Sequence, residues 1–204
     1  GQIMFMSVVS SLGTISISAH HLATTAEGIC YNPAFGIATA ATALVGQALG
    51  AGDEKLAERY SRFGLLFCAV VMTAVSACLY FGAEWAIAFF TNDPEVVAQG
   101  ARCLRIVAWV EAPFGMALVF SAALRAAGDA LVPLWTGIIT MWAVRQTAAR
   151  LFVQRLGLAL PGAWYAMDLD VGLRWLFLWA YFSTGRWKLV SRRLAEKTRE
   201  SVLQ

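Results

Sequence analysis

Residues 63–90 read FGLLFCAVVMTAVSACLYFGAEWAIAFF, and the single charge in that length is Glu84. A helix of about 20 apolar residues crosses the roughly 30 Å hydrocarbon core of a bilayer. In lipid every backbone N–H and C=O must be satisfied within the segment, so the stretch predicts a membrane-spanning helix. Outward from it in both directions the same pattern recurs at 3–19, 22–48, 104–124, 131–153 and 162–183. The chain is therefore expected to be an all-α integral membrane protein, a bundle of six transmembrane helices.

The connections between these stretches carry helix-ending and helix-starting chemistry. They are Ser18-Ala19-His20-His21, Gly50-Ala51-Gly52-Asp53-Glu54-Lys55, Thr91-Asn92-Asp93-Pro94-Glu95, Arg125-Ala126-Ala127-Gly128-Asp129, and Gln154-Arg155-Leu156-Gly157 leading to Pro161-Gly162. Gly50 or Gly52 can take the left-handed conformation that closes a helix, and Asp53 can cap the next one. Asn92 or Asp93 precedes Pro94, which suits a first helical position. Beyond Thr184 the character changes to a basic segment with Arg186, Lys188, Arg192, Arg193, Lys197 and Arg199, and Trp187 is expected at the lipid interface. The expected organisation is a six-helix lobe over 1–185, already under way at Gly1, and a basic cytoplasmic tail over 186–204. With that tail inside, Lys55, Arg59, Arg62 and Arg125 fall on its side and Arg102, Arg105, Arg150 and Arg155 on the other, as the positive-inside rule asks.

Composition agrees, since 59% of residues are hydrophobic and 14% charged, proportions that would leave a soluble domain insoluble. Cys30, Cys68, Cys78 and Cys103 lie in or beside the apolar stretches with no paired spacing, and read as small packing residues. No cleavable leader is visible in the first stretch. The net charge of +3 comes largely from the tail, which fits an anionic membrane surface and gives no reason to expect nucleic acid.

Charges inside a span point to function, because each costs about 2.5–3.5 kcal/mol at a helix centre unless it meets a partner or water. Glu27, Glu111, Arg145, Asp168, Asp170 and Arg174 qualify, with Glu84 a weaker case. Glu27 either reaches headgroup water or, held among apolar side chains, loads and releases a proton. Asn32-Pro33 nearby breaks the helix and frees carbonyls, as cavity-lining segments of transporters do. Asp170 and Arg174 stand four apart and share a face, the spacing of an ion pair. Asp168 falls about 200° round the helix from Asp170, off that face. Arg145, near the middle of its span, needs an anionic partner from another helix, either Glu111 or Asp170. Glu111 precedes Pro113, again a carboxylate beside a helix breaker.

His20-His21 has no third ligand at workable spacing and reads as a surface loop, with no metal site expected. Gly46 to Gly52 lacks the Lys and Ser/Thr of a nucleotide loop and follows no strand. Ala38, Ala40, Ala41, Ala43 and Gly46 instead allow a neighbouring helix to approach closely.

Five segments together resemble the multidrug and toxic compound extrusion (MATE) family, specifically its carboxy-terminal lobe. Ser18-Ala19-His20-His21 resembles the family's AAHQ loop. Residues 40–52, AATALVGQALGAG, resemble its A-x-x-x-L-V-G-Q-x-L-G-A-G segment. Phe90-Thr91-Asn92-Asp93-Pro94-Glu95-Val96 is similar to FT-D-P-V, residues 123–129, ALRAAGD, to ALRGAGDT, and residues 160–164, LPGAW, to L-P-G-A-W. Ala126 and Ala130 stand where the family usually has glycine and threonine.

The resemblance implies a secondary antiporter of twelve helices in two six-helix lobes. It would move organic cations or other drugs outward by alternating access, against a proton or sodium gradient. It implies a bacterial inner-membrane location, with no cofactor beyond H+ or Na+ as coupling ion. It also implies a small cationic substrate, the lipid bilayer, and either a missing amino-terminal lobe or a second copy as partners. By this resemblance Gly1 falls within the seventh helix. Glu27 and Asp170 are the implied ion- or proton-coupling residues, with Arg145, Arg174 and Glu111 as a charge network around the cavity. A flippase for a lipid-linked oligosaccharide, from the same superfamily, is the alternative that a positively lined cavity would favour. An inert fragment or membrane scaffold is another. An intramembrane enzyme is not expected, since no nucleophile–base constellation or metal motif is present.

Overall fold

The computed structural model describes the backbone of residues 2–202 and the side chains within that range except 2–4, 195, 197–199 and 201–202. Gly1 and the side chains of Lys197 and Arg199, read above as the start of the first span and part of the basic tail, lie outside the described residues. Ten α-helices follow one another: α1 Gln2–Ser10, α2 Thr14–Cys30, α3 Asn32–Gly50, α4 Glu54–Ala88, α5 Pro94–Val107, α6 Glu111–Ala126, α7 Leu131–Ile139, α8 Gln146–Arg150, α9 Ala159–Ser183 and α10 Arg186–Val202. Two π-helical turns, Thr140–Arg145 and Leu151–Arg155, join α7 to α8 and extend α8. No strand occurs among the described residues.

These elements assemble into the six expected rods. α1 begins the bundle, α2 and α3 run on as one apolar length, Thr14–Gly50, and α4 is the third. α5 and α6 form the fourth, bent by 51° at the break between them. α7, α8 and their π turns make the fifth, and α9 the sixth. Thr14–Gly50 and Glu54–Ala88 are each long and apolar enough to cross a membrane, and the bent pair makes a third such length. α9 is long enough too, but it carries Asp168, Asp170 and Arg174 through its middle.

The first boundary differs from the sequence reading. Ser18 to His21 is not a loop but the middle of α2, and the chain turns instead at Gly13, whose φ of 96° belongs to glycine. Nothing in Ser18-Ala19-His20-His21 breaks a helix, and only one face of it turns inward: Ala19 and His20 are buried while Ser18 and His21 are exposed. Two expected helix starts are present. Asp53 accepts from Leu56 N at 2.9 Å after Gly52 with φ 78°, and Asp93 accepts from Glu95 N at 2.9 Å with Pro94 in the first turn.

α3 buries Ala34, Ala38, Ala41, Val45 and Ala48 against α4 and α6, and these small side chains let the three helices approach closely. Ala40 and Ala43, read above with them, face outward. The tightest approach is at Gly115 of α6, where a Cβ would lie 2.7 Å from Met72 Cγ and 2.8 Å from Cys68 Sγ, both fully buried on α4. Gly115→Leu is expected to lower the apparent Tm in detergent, the overpacking costing about 1–3 kcal/mol or more. An unchanged melting curve would show that α4 and α6 separate without penalty.

Trp187, expected at the lipid interface, is instead 1% exposed. Gly185 turns the chain back with φ 71°, so that the indole stacks on Phe182 at 5.2 Å inside the α3–α4–α6–α9 core. α10 thereby lies across one end of the bundle. There Lys188 pairs with Glu58 at 2.5 Å, and Arg192 with Glu54 at 2.5 Å and 2.7 Å. The 35 residues of α4 extend about 52 Å at 1.5 Å each, so its first turns stand beyond the hydrocarbon to receive these cations.

The Lys188 hydrogen bond holds the Glu58 carboxyl below its ordinary range, and the Arg192 hydrogen bond does the same for Glu54. A depressed folded-state value means the stabilisation is full above the ordinary carboxylate value and is lost as pH falls through the depressed one. α10 is therefore expected to stay docked at neutral pH and to loosen below about pH 4. A spin-label distance between α4 and α10 checks this, and a distance constant down to about pH 2 would refute the ionic clasp.

Candidate functional site

A cavity of about 240 Å³ opens where four of the rods converge, and most of the charged residues singled out in the sequence meet on its wall. α2 contributes Thr24 and Glu27, with Tyr31 following in the break before α3. The bend between α5 and α6 contributes Val107, Val110, Glu111 and Phe114. Arg145 enters from the π turn after α7, and α9 supplies Met167, Asp168, Val171 and Arg174.

The helix breaks explain how carboxylates come to sit among apolar rods. Pro33 has no N–H to offer Ile29 O, and Asn32 Nδ2 donates to that oxygen instead at 3.0 Å. The carbonyl expected to be free is thus satisfied, and what the break supplies to the cavity is Tyr31. Its hydroxyl donates to Glu27 Oε1, and its ring packs on Phe114 with centroids 4.4 Å apart. Glu111 begins α6 directly after the bend, so its side chain points into the angle between α5 and α6.

Glu27 and Glu111 are each 1% exposed. Neither carboxylate oxygen of Glu111, nor Oδ1 of Asp168, has a hydrogen-bond partner among the described protein atoms. Glu27, Glu111 and Asp168 act on one another electrostatically, and Arg145 acts on both Glu27 and Asp168.

Asp170 lies behind the wall, fully buried, and gathers both arginines. Arg174 Nη2 donates to its two oxygens at 2.9 and 3.2 Å, the four-residue pair read from the sequence. Arg145 Nε lies 2.7 Å from Oδ2, an ion pair by proximity in which the N–H does not point at the oxygen. Of the two partners considered for Arg145, Asp170 is therefore the one that meets it. Arg174 Nε also donates to Thr140 Oγ1 at 3.2 Å.

Thr140 and Arg145 both reach this group because of the π turn. In an α-helix, residues five apart diverge by about 140°, whereas the wider i→i+5 turn stacks them. An α-helical reading of the sequence therefore could not place Thr140 at the site. Tyr31 was accessible to it, lying four residues after Glu27 on the same face. Asp168, set aside as off the Asp170 face, is the α9 carboxylate that lines the cavity.

Four carboxyl groups (Glu27, Glu111, Asp168 and Asp170) thus surround two guanidinium groups (Arg145 and Arg174). Buried like charges disfavour one another, so such a site approaches neutrality by taking up protons or a cation. Among the described residues no three His, Cys, Asp or Glu side chains converge closely enough to hold a metal ion. Glu84 stands apart, in an exposed 2.8 Å pair with Arg105.

The chain is 27% identical to a probable multidrug resistance protein NorM of Thermotoga maritima over 202 residues, which cover 99% of this chain and 43% of the relative. It is 28% identical to the probable multidrug resistance protein YpnP of Bacillus subtilis, over 92% of this chain and 42% of that one. It therefore spans about two fifths of the length of these relatives. Among solved structures, the eukaryotic MATE transporter AtDTX14 superposes with a TM-score of 0.86 at 17% identity, covering 95% of this chain and 44% of that one. A MOP superfamily transporter from Pyrococcus furiosus gives 0.82 at 19% identity, over 87% and 39%. At such identities the superpositions establish the fold, a MATE-type bundle of membrane helices. The family model for MatE matches residues 1–152, four of the five segments that carry the resemblance lie wholly within that match, and this chain belongs to the MatE family.

Proposed function

We propose that this chain is one lobe of a secondary antiporter that exports small organic cations in exchange for protons or sodium by alternating access. The observation that carries the reading is the excess of buried carboxyl groups over guanidinium groups around one cavity within an apolar bundle. Such a site binds a proton or cation in one state and gives it up when solvent access or a competing substrate changes its environment. The names of the relatives, multidrug resistance proteins, point the same way.

Glu27, Glu111 and Asp168 are the ion-responsive groups in this reading. Asp170, paired first with Glu27 in the sequence reading, is the anchor that holds Arg145 and Arg174 beside them. The oligosaccharide-flippase alternative requires a positively lined cavity, and here four carboxyl groups outnumber the two arginines. A second six-rod lobe, from the same polypeptide or from another copy, completes the cavity. The assembly lies in a bacterial inner membrane with α10 on the cytoplasmic side.

The test uses membrane vesicles containing the protein as its gene encodes it, loaded with a fluorescent cation. Imposing an inward proton or sodium gradient is expected to accelerate efflux, and collapsing the gradient to abolish it. Efflux indifferent to both gradients would overturn the antiporter reading.

A further inference from the structure

Ser16, His20, Thr24, Glu27 and Tyr31 recur at intervals of four, four, three and four, and so form a polar file down one face of the second rod. Ser16, His20 and Glu27 of this file are buried, Tyr31 is partly buried and Thr24 is exposed, and its last three members line the acidic cavity. His20 stands one turn before that wall, where Thr24 donates its hydroxyl to the His20 carbonyl at 2.8 Å. Opposite it on α9, Trp164 stands one turn before Asp168. The two rings meet edge-on with centroids 5.6 Å apart, and Phe5 of α1 closes a further side at 5.8 Å.

His20 is 6% exposed and Trp164 is 0% exposed, yet neither His20 Nδ1 nor Trp164 Nε1 has a hydrogen-bond partner among the described protein atoms. One turn further out, Ser16 donates to Gln99 Oε1 at 3.1 Å, and Gln99 is partly exposed. Gln99 lies early in α5, hence at the end of the bundle opposite α10.

A buried polar atom without a partner costs about 1–3 kcal/mol, and native structures meet such costs with ordered water where several polar groups converge. Here the unpartnered atoms form a series. It starts with His20 Nδ1 and Trp164 Nε1 and continues into the cavity with Asp168 Oδ1 and the Glu111 oxygens. We propose that this face of α2 is a hydrated proton path from the Gln99 end of the bundle to the acidic cavity, with His20 as its relay.

The proposal rests on the ion-coupling reading above and adds the route and the residue. A neutral imidazole has one N–H and one bare nitrogen. A proton delivered by water to the bare nitrogen makes the imidazolium, and the proton on the other nitrogen then leaves by water toward Glu27. One proton has advanced, and the ring is neutral again in its other tautomer. Trp164 N–H orients the water beside the ring, and Phe5 excludes it from the α1 side. Charged or titratable groups bearing on the relay are His21 next to it, Glu27 further along its own helix and Asp168 on α9. α1 offers Phe5, and α5 the uncharged Gln99.

Two measurements on the protein as its gene encodes it test the path. In hydroxyl-radical footprinting by X-ray radiolysis, which modifies side chains beside ordered water, Trp164 is expected to react several-fold faster than Trp187, an equally buried but stacked indole. Equal reaction of the two would overturn the path. In vesicles, His20→Gln is expected to slow proton-driven efflux roughly tenfold and to change its pH profile. If His20→Gln matches the parent while Glu27→Gln loses coupling, the relay is overturned and the coupling site stands. If neither change has any effect, the coupling reading itself fails, and the relay with it.

Discussion

Asp170→Asn is expected to destabilise the bundle by about 3 kcal/mol, the range for removing one partner of a buried ion pair and leaving the other charge uncompensated. Asp170 is fully buried, and the side chains it compensates are themselves poorly exposed, 16% for Arg145 and 28% for Arg174. Asparagine fills the same volume and still accepts a hydrogen bond from Arg174, so the loss isolates charge from packing. Removing one of the stranded cations as well should restore part of it. The double variant Asp170→Asn with Arg145→Met is expected to melt above the single variant in detergent. The idea fails if Asp170→Asn melts with the parent, or if the double variant is worse by the simple sum of its parts, since coupled sites depart from additivity.

The second large effect is on coupling. Glu27→Gln keeps the shape and the oxygen that accepts from Tyr31, and removes the capacity to gain or lose a proton. Gradient-driven efflux is expected to fall by about 10- to 100-fold and to lose its dependence on pH between about 6 and 8. Glu84→Gln, which touches only the exposed pair with Arg105, should leave efflux as it was. An unaltered rate and pH profile in the Glu27 variant would take that residue out of the mechanism.

Much of this was legible in the sequence because the bilayer imposes strong rules. Length and apolarity placed six rods, and capping chemistry placed the starts of α4 at Asp53 and of α5 at Asp93. The charges too costly for lipid were those the fold gathers, Glu27, Glu111, Arg145, Asp168 and Arg174 on the cavity and Asp170 behind it. What failed was inference from local polarity. His20 looked like a loop residue because polar pairs usually face water, but its partners, Phe5 and Trp164, come from opposite ends of the chain. Trp187 looked interfacial because it adjoins a basic segment, and it is buried because Gly185 folds that segment back. Thr140 was invisible because helical spacing was assumed where the helix changes pitch.

That change of pitch also bears on how relatives of this chain should be compared. A π turn holds one residue more than the α turn it replaces. If one of Met141 to Val144 were missing, Thr140 and Arg145 would stand four apart, a spacing that an ordinary α turn brings to the same face. A one-residue gap at this point in an aligned relative therefore leaves the threonine and the arginine opposite Asp170 and Arg174. Elsewhere in a buried spanning helix such a gap would rotate everything beyond it by about 100°. Here it carries no sign of a lost site.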